Sequence, residues 1–116
     1  MPWSYNPHAG GVTIPAAVQV RTRARVLAHA AKHYAGRYDR LEFRFRGALC
    51  YLDAYRNSSD LPVHLVRLRY FGGEDRWSVA FYTYSHERYE PTFFADGNDM
   101  GTPEQALDIG SVYLGD

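Results

Sequence analysis

Arginine and tyrosine recur together through the middle of this 116-residue chain, at spacings that place them side by side. Arg44, Arg46, Arg67 and Arg69 take alternate positions in two apolar–polar repeats. Tyr51, Tyr55, Tyr82 and Tyr84 do the same in the segments expected to pair with them. A guanidinium grips phosphate or carboxylate through a planar fork and also stacks on rings. A tyrosine ring offers a π-face to a nucleic-acid base or to another side chain. Together on one face, the two residue types suit a protein interface or single-stranded nucleic acid. Arg21 and Arg25, with His29 and Lys32, recur instead at helical spacing and could follow a phosphate backbone.

Candidates for catalysis are sparser. Ser85-His86-Glu87-Arg88-Tyr89-Glu90 offers His86 as a base, Glu87 or Glu90 as its partner and Arg88 for phosphate charge. That is the outline of a small metal-free ribonuclease, although a polar hairpin turn uses the same residues. His29 and His33 have the one-turn spacing of a metal-binding pair, but Ala30 replaces the glutamate of His-Glu-x-x-His. A third ligand would have to come from Asp39 or His8, so neither a metal nor any other cofactor is expected. Glu42 and Asp53 are expected to face each other across two strands, where like charges destabilise unless Arg44 neutralises them. Such a pair could raise one pKa or hold a divalent ion. Asp96-Gly97-Asn98-Asp99 lacks the spacing of a calcium loop and reads as a turn. No phosphate-binding glycine loop or nucleophile elbow occurs, and Lys32 on a basic helix face does not suit Schiff-base chemistry. The residues therefore favour binding over catalysis.

The elements that must position these groups follow from periodicity. A helix is expected from Thr13 or Ile14, with Pro15 near its first position, to about Ala35, and Gly36 stops it. Ala17, Val20, Ala24, Leu27, Ala31 and Tyr34 form the side expected to face the core; Arg21, Arg25, His29 and Lys32 form the outer stripe. Leu41–Arg46 alternates as a strand, and Gly47-Ala48 suits a two-residue turn with Gly first. This register pairs Phe45 with Cys50, Phe43 with Leu52 and Leu41 with Ala54, and on the outer face Arg44 with Tyr51. A second hairpin turns at Gly72-Gly73-Glu74-Asp75. It pairs Phe71 with Arg76, Tyr70 with Trp77, Leu68 with Val79 and Val66 with Phe81. Its outer face pairs Arg69 with Ser78, Arg67 with Ala80 and Leu65 with Tyr82, while His64 points inward opposite Thr83. A fifth strand near Tyr89–Phe94 carries Pro91 and so belongs at an edge. Thr102-Pro103-Glu104-Gln105 opens a final helix with a capping box.

The order α-β-β-β-β-β-α predicts an α+β fold: a five-stranded antiparallel sheet with both helices on one face. Residues 1–13 read as a flexible arm that Trp3 and Tyr5 could tack down, and residues 14–116 as one domain. The other sheet face stays open and carries the arginines and tyrosines.

Charge divides sharply along the chain. Residues 1–70 hold eleven basic side chains and four acids, whereas residues 71–116 hold two basic and nine acidic, so +7 is followed by −7. Twelve arginines accompany a single lysine, which reflects either guanidinium chemistry or GC-rich codons. A single cysteine, Cys50, excludes an intrachain disulfide framework and a multi-cysteine zinc site, and fits a reducing compartment. The opening residues lack a signal-peptide pattern and no stretch reaches membrane-spanning length, so a cytoplasmic location is expected. The first expectation for the open face is a protein partner or a second copy of the chain. Single-stranded RNA is the alternative, and a ribonuclease centred on His86 and Glu87 comes third.

Overall fold

The computed structural model describes residues 8–115, so Trp3 and Tyr5 lie outside the described residues. Helix α1 (Ala16–His33) precedes strands β1 (Arg40–Arg46), β2 (Leu49–Tyr55), β3 (Val63–Tyr70), β4 (Trp77–Thr83) and β5 (Arg88–Thr92). Helix α2 (Pro103–Gly110) and a 3-10 turn (Ser111–Leu114) complete the chain. The strands form one antiparallel meander in the order β1-β2-β3-β4-β5. Pro91, which cannot donate a ladder hydrogen bond, lies in the edge strand β5.

Local sequence explains most of these boundaries. Gly47 adopts φ 57°, which lets β1 and β2 join in two residues. Phe45–Cys50, Phe43–Leu52 and Leu41–Ala54 pair as the alternation requires. Thr102 caps α2: its hydroxyl accepts from the Gln105 N–H while the Gln105 side chain accepts from the Thr102 N–H. Both helices cover one sheet face, where Val18, Val26, Leu52, Leu68, Trp77 and Leu107 share a core. Cys50 is buried in it, and burial pushes its thiol up to about 12, so it packs as a small hydrophobe.

Residues between His8 and the helix follow the end of the sheet. The Val12 N–H donates to the Tyr70 carbonyl at 3.0 Å and the Ile14 N–H to the Gly47 carbonyl at 3.0 Å. Arg69 Nη1 donates to the Gly10 carbonyl at 2.9 Å.

Two expectations are corrected. Helix α1 buries Val18, Thr22, Val26 and Ala30, whereas Val20 is 68% exposed and Leu27 40% exposed. The helix is thus turned by about half a revolution from the expected face. Both rows are apolar enough to serve. The observed turn brings Arg21, Arg25 and His29 within reach of carboxylates from the second half of the chain.

The second correction lies in β3. Leu52 pairs with Val66, but the next pair is Asp53 with His64, so Leu65 is an extra residue on β3. Leu65 and Val66 are both fully buried instead of alternating. From that bulge toward the start of β3 the parity reverses, and His64 turns to the open face rather than the core.

Gly110 makes the bulge possible. A Cβ at this position would stand 2.8 Å from Leu65 Cβ and 3.4 Å from its carbonyl carbon. The helical backbone here would otherwise favour alanine by about 1 kcal/mol, but overpacking of this kind costs about 1–3 kcal/mol. Gly110→Ala should therefore lower stability by about 1–2 kcal/mol in urea denaturation. A raised midpoint would show that Leu65 yields without cost.

Candidate functional site

Parity sets which side chains meet on the open face. Arg44 pairs with Tyr51 and Tyr51 with Arg67, while Tyr82 pairs with Tyr89. The reversed parity of β3 adds His64, opposite Asp53. Between these strands lies an open cleft of about 510 Å³, lined by Arg44, Phe45, Arg46, Tyr51, His64 and Tyr89.

The aromatic floor is a continuous set of ring contacts. Tyr51 and Tyr89 meet edge to face at 5.4 Å, as do Tyr82 and Tyr89 at 5.0 Å, and the His64 ring lies 4.8 Å from Tyr82. Guanidinium groups rest above this floor. Arg40 lies over Tyr55 at 3.7 Å, Arg44 over Tyr51 at 4.8 Å and Arg67 over Tyr89 at 5.6 Å. Such cation–π contacts hold the charged ends close to the sheet.

One carboxylate sits beneath them. Asp53 has a side chain 3% exposed; its Oδ1 meets His64 Nδ1 at 2.9 Å and its Oδ2 lies 3.4 Å from Arg44 Nη2. The single charge of Asp53 thus faces both an imidazole and a guanidinium. Glu42 does pair with Asp53 across the strands, and Arg40 and Arg44 stand beside the two acids. The Tyr89 hydroxyl is buried with no hydrogen-bond partner among the described residues.

The remaining candidates occupy other places. Tyr84 lies beyond the end of β4, where its hydroxyl accepts from the His64 N–H at 2.8 Å and its ring meets Tyr82 and Tyr113. It substitutes for the ladder partner that His64 lacks past the bulge. Arg69 holds the Gly10 carbonyl, and burial followed by the nearby charge of Arg67 lowers its pKa. His86 is an exposed turn residue whose Nδ1 meets Glu90 Oε1 at 2.7 Å; its partner is Glu90, not Glu87. Glu87 instead takes φ 52° within the turn.

Arg21 and Arg25 belong to the opposite layer. Arg21 forms a forked bond to Glu74, with distances of 2.8 and 3.0 Å. Arg25 binds Glu104 in the same manner and also meets Asp75 at 2.8 Å. His29 Nε2 and the Tyr34 hydroxyl converge on Asp108 Oδ1. The His29 and His33 rings lie 4.5 Å apart with their planes tilted by 48°, and among the described residues no group of three or more His, Cys, Asp or Glu could hold a metal. The basic helix and the acidic second half of the chain are thus joined within one molecule. By contrast, Arg46 and Arg67 have no carboxylate at ion-pair distance among the described residues.

Sequence reasoning identified Arg44, Arg46, Tyr51, Arg67 and Tyr82, which the fold brings to one face. It missed His64 and Tyr89. Two signals pointed to them: adjacent Leu65 and Val66 between polar neighbours mark a bulge, and the tight turn before β5 fixes Tyr89 opposite Tyr82. Comparison of the chain with family models, curated proteins and solved structures finds no match. Among the described residues no helix is long and apolar enough to cross a membrane.

The ion pairs between α1 and α2 give a pH signature. Burial, the largest single influence, raises the Glu104 carboxyl, but its bonds to Arg25, a hydrogen bond from its own backbone and the charges of Arg25 and His29 together hold it below the ordinary 4.5. A depressed carboxylate contributes stability above its unfolded value and loses it as pH falls through the folded one. Stability should thus decline below about pH 4.5 as this group takes up its proton. Arg25→Met should cost about 1–2 kcal/mol at neutral pH and flatten that decline, measured by urea midpoints across pH. An unchanged acid slope would show that the pair contributes nothing.

Proposed function

We propose that this domain binds single-stranded RNA on the open face of its sheet. The observation that carries this reading is the set of uncompensated guanidinium groups around an aromatic cleft. Arg21 and Arg25 of the helix are matched by acids of the same chain, whereas Arg46 and Arg67 have none at ion-pair distance among the described residues, and Arg44 shares the buried Asp53 with His64. Phosphates would lie against Arg44, Arg46 and Arg67, and bases would stack on the exposed edges and faces of Tyr51 and Tyr82. A duplex does not suit the cleft, because stacking on side-chain rings requires bases free of their partners. A reducing, cytoplasmic setting accords with the buried free thiol of Cys50.

The Arg-over-Tyr pairs also match the composition of protein interfaces. That favours, as the second reading, a protein partner or a second copy seated on the same face.

Fluorescence anisotropy with a mixed-sequence single-stranded RNA separates the two. Wild-type affinity should fall with salt, with a logarithmic slope of about −2 if three phosphates are held. Arg44→Glu with Arg67→Glu should weaken binding by at least about tenfold while leaving the circular dichroism spectrum unchanged. No binding at low salt, or equal binding by the double variant, removes RNA from this face. A dimer in sedimentation velocity that the same variant abolishes would then assign the face to self-association.

A further inference from the structure

We propose that the cleft also cleaves the strand it holds, with His64 accepting the proton in a metal-independent RNA phosphodiester transfer and Asp53 as its positioning residue. This rests on the RNA-binding reading above.

The geometry around Asp53 supplies the argument. A carboxylate only accepts hydrogen bonds, so His64 Nδ1 carries the hydrogen in the 2.9 Å contact with Asp53. That leaves the Nε2 lone pair on a ring that lines the cleft. A buried carboxylate holding an imidazole in one tautomer is how a general base is oriented. The second carboxylate oxygen faces Arg44, so a proton acceptor and a fixed positive charge stand beside each other. The Tyr89 hydroxyl, buried and unpartnered among the described residues, adds a donor. Leaving such a group unpaired is costly, and a phosphoryl oxygen would satisfy it. Burial, and then the charge of Asp53, push that phenol up, so it keeps its proton and remains a donor. The pair His86–Glu90 has none of this setting: its ring is 59% exposed on a turn and its carboxylate 33%.

The step balances without a metal. His64 Nε2 takes the proton of a ribose 2′-hydroxyl, and the 2′-oxygen bonds to the adjacent phosphorus as the P–O5′ bond breaks. Arg44 and the Tyr89 hydroxyl stabilise the charge on the non-bridging oxygens. The departing 5′-oxygen takes a proton from water, and His64 returns its proton to the hydroxide so formed. The products are a 2′,3′-cyclic phosphate and a 5′-hydroxyl.

The test uses the full chain, a labelled single-stranded RNA and a chelator. Wild type should yield fragments ending in cyclic phosphate, and the deoxyribose strand should bind but stay intact. His64→Ala should slow cleavage by about 10²–10⁴-fold while anisotropy reports unchanged affinity, and added imidazole should restore part of the rate. His64→Gln keeps a polar partner for Asp53 and should show the same loss if the alanine variant fails to fold. Asp53→Asn should lower kcat with little change in KM and resist imidazole. His86→Ala should cleave as wild type. Binding without cleavage overturns the catalytic inference and leaves the binding reading standing; loss of both overturns both. Cleavage that survives in His64→Ala and His64→Gln also overturns it.

Discussion

A strand sends successive side chains to opposite faces, so one inserted residue exchanges the roles of every residue beyond it. In this protein that insertion is Leu65, and the open face depends on it. Leu65 and Val66 both enter the core beneath α2, at the one place where a glycine leaves room for them. His64 is thereby delivered to the open face, where Asp53 holds it and Tyr84 satisfies its backbone N–H. Without the bulge, an imidazole would lie in the apolar layer and Leu65 among the tyrosines. The packing of α2 and the composition of the cleft are two results of a single constraint.

Charge is distributed with comparable economy. The helix arginines and the acids of the second half meet across α1, α2 and the loop before β4, and clamp segments far apart in sequence. Forked guanidinium–carboxylate bonds are geometrically selective, which is why they fix the rotation of a helix that is apolar on more than one side. The sheet arginines lie on the other side of the molecule, beyond those acids. Opposed net charges along the chain therefore become one internally matched surface and one positive surface.

Much of this was legible in the residues. Alternation in Leu41–Arg46 and the Gly47 turn gave the first hairpin pairing by pairing, and Thr102 with Gln105 gave the last helix start. Short-range rules suffice where turn geometry and a two-residue period both act. They failed where two solutions were locally equal. In α1 the rows containing Val18 and Val20 are alike in hydrophobicity, and only distant Glu74, Glu104 and Asp108 decide between them. In β3 the decision came from Gly110, far away in sequence. The cleft was therefore half visible: its arginines obeyed the simple period, and its histidine did not.

The arginines resting on tyrosine rings have a thermodynamic meaning of their own. A free arginine side chain carries about 2 kcal/mol of rotamer entropy, which an interface must ordinarily remove from each one it uses. Arg40, Arg44 and Arg67 are already confined over Tyr55, Tyr51 and Tyr89. Part of their ordering is thus completed during folding, and an incoming anion meets donors whose directions are set. Rigidity of this kind favours ligands whose charges match the fixed spacing and discriminates against those that would need the arginines to rearrange.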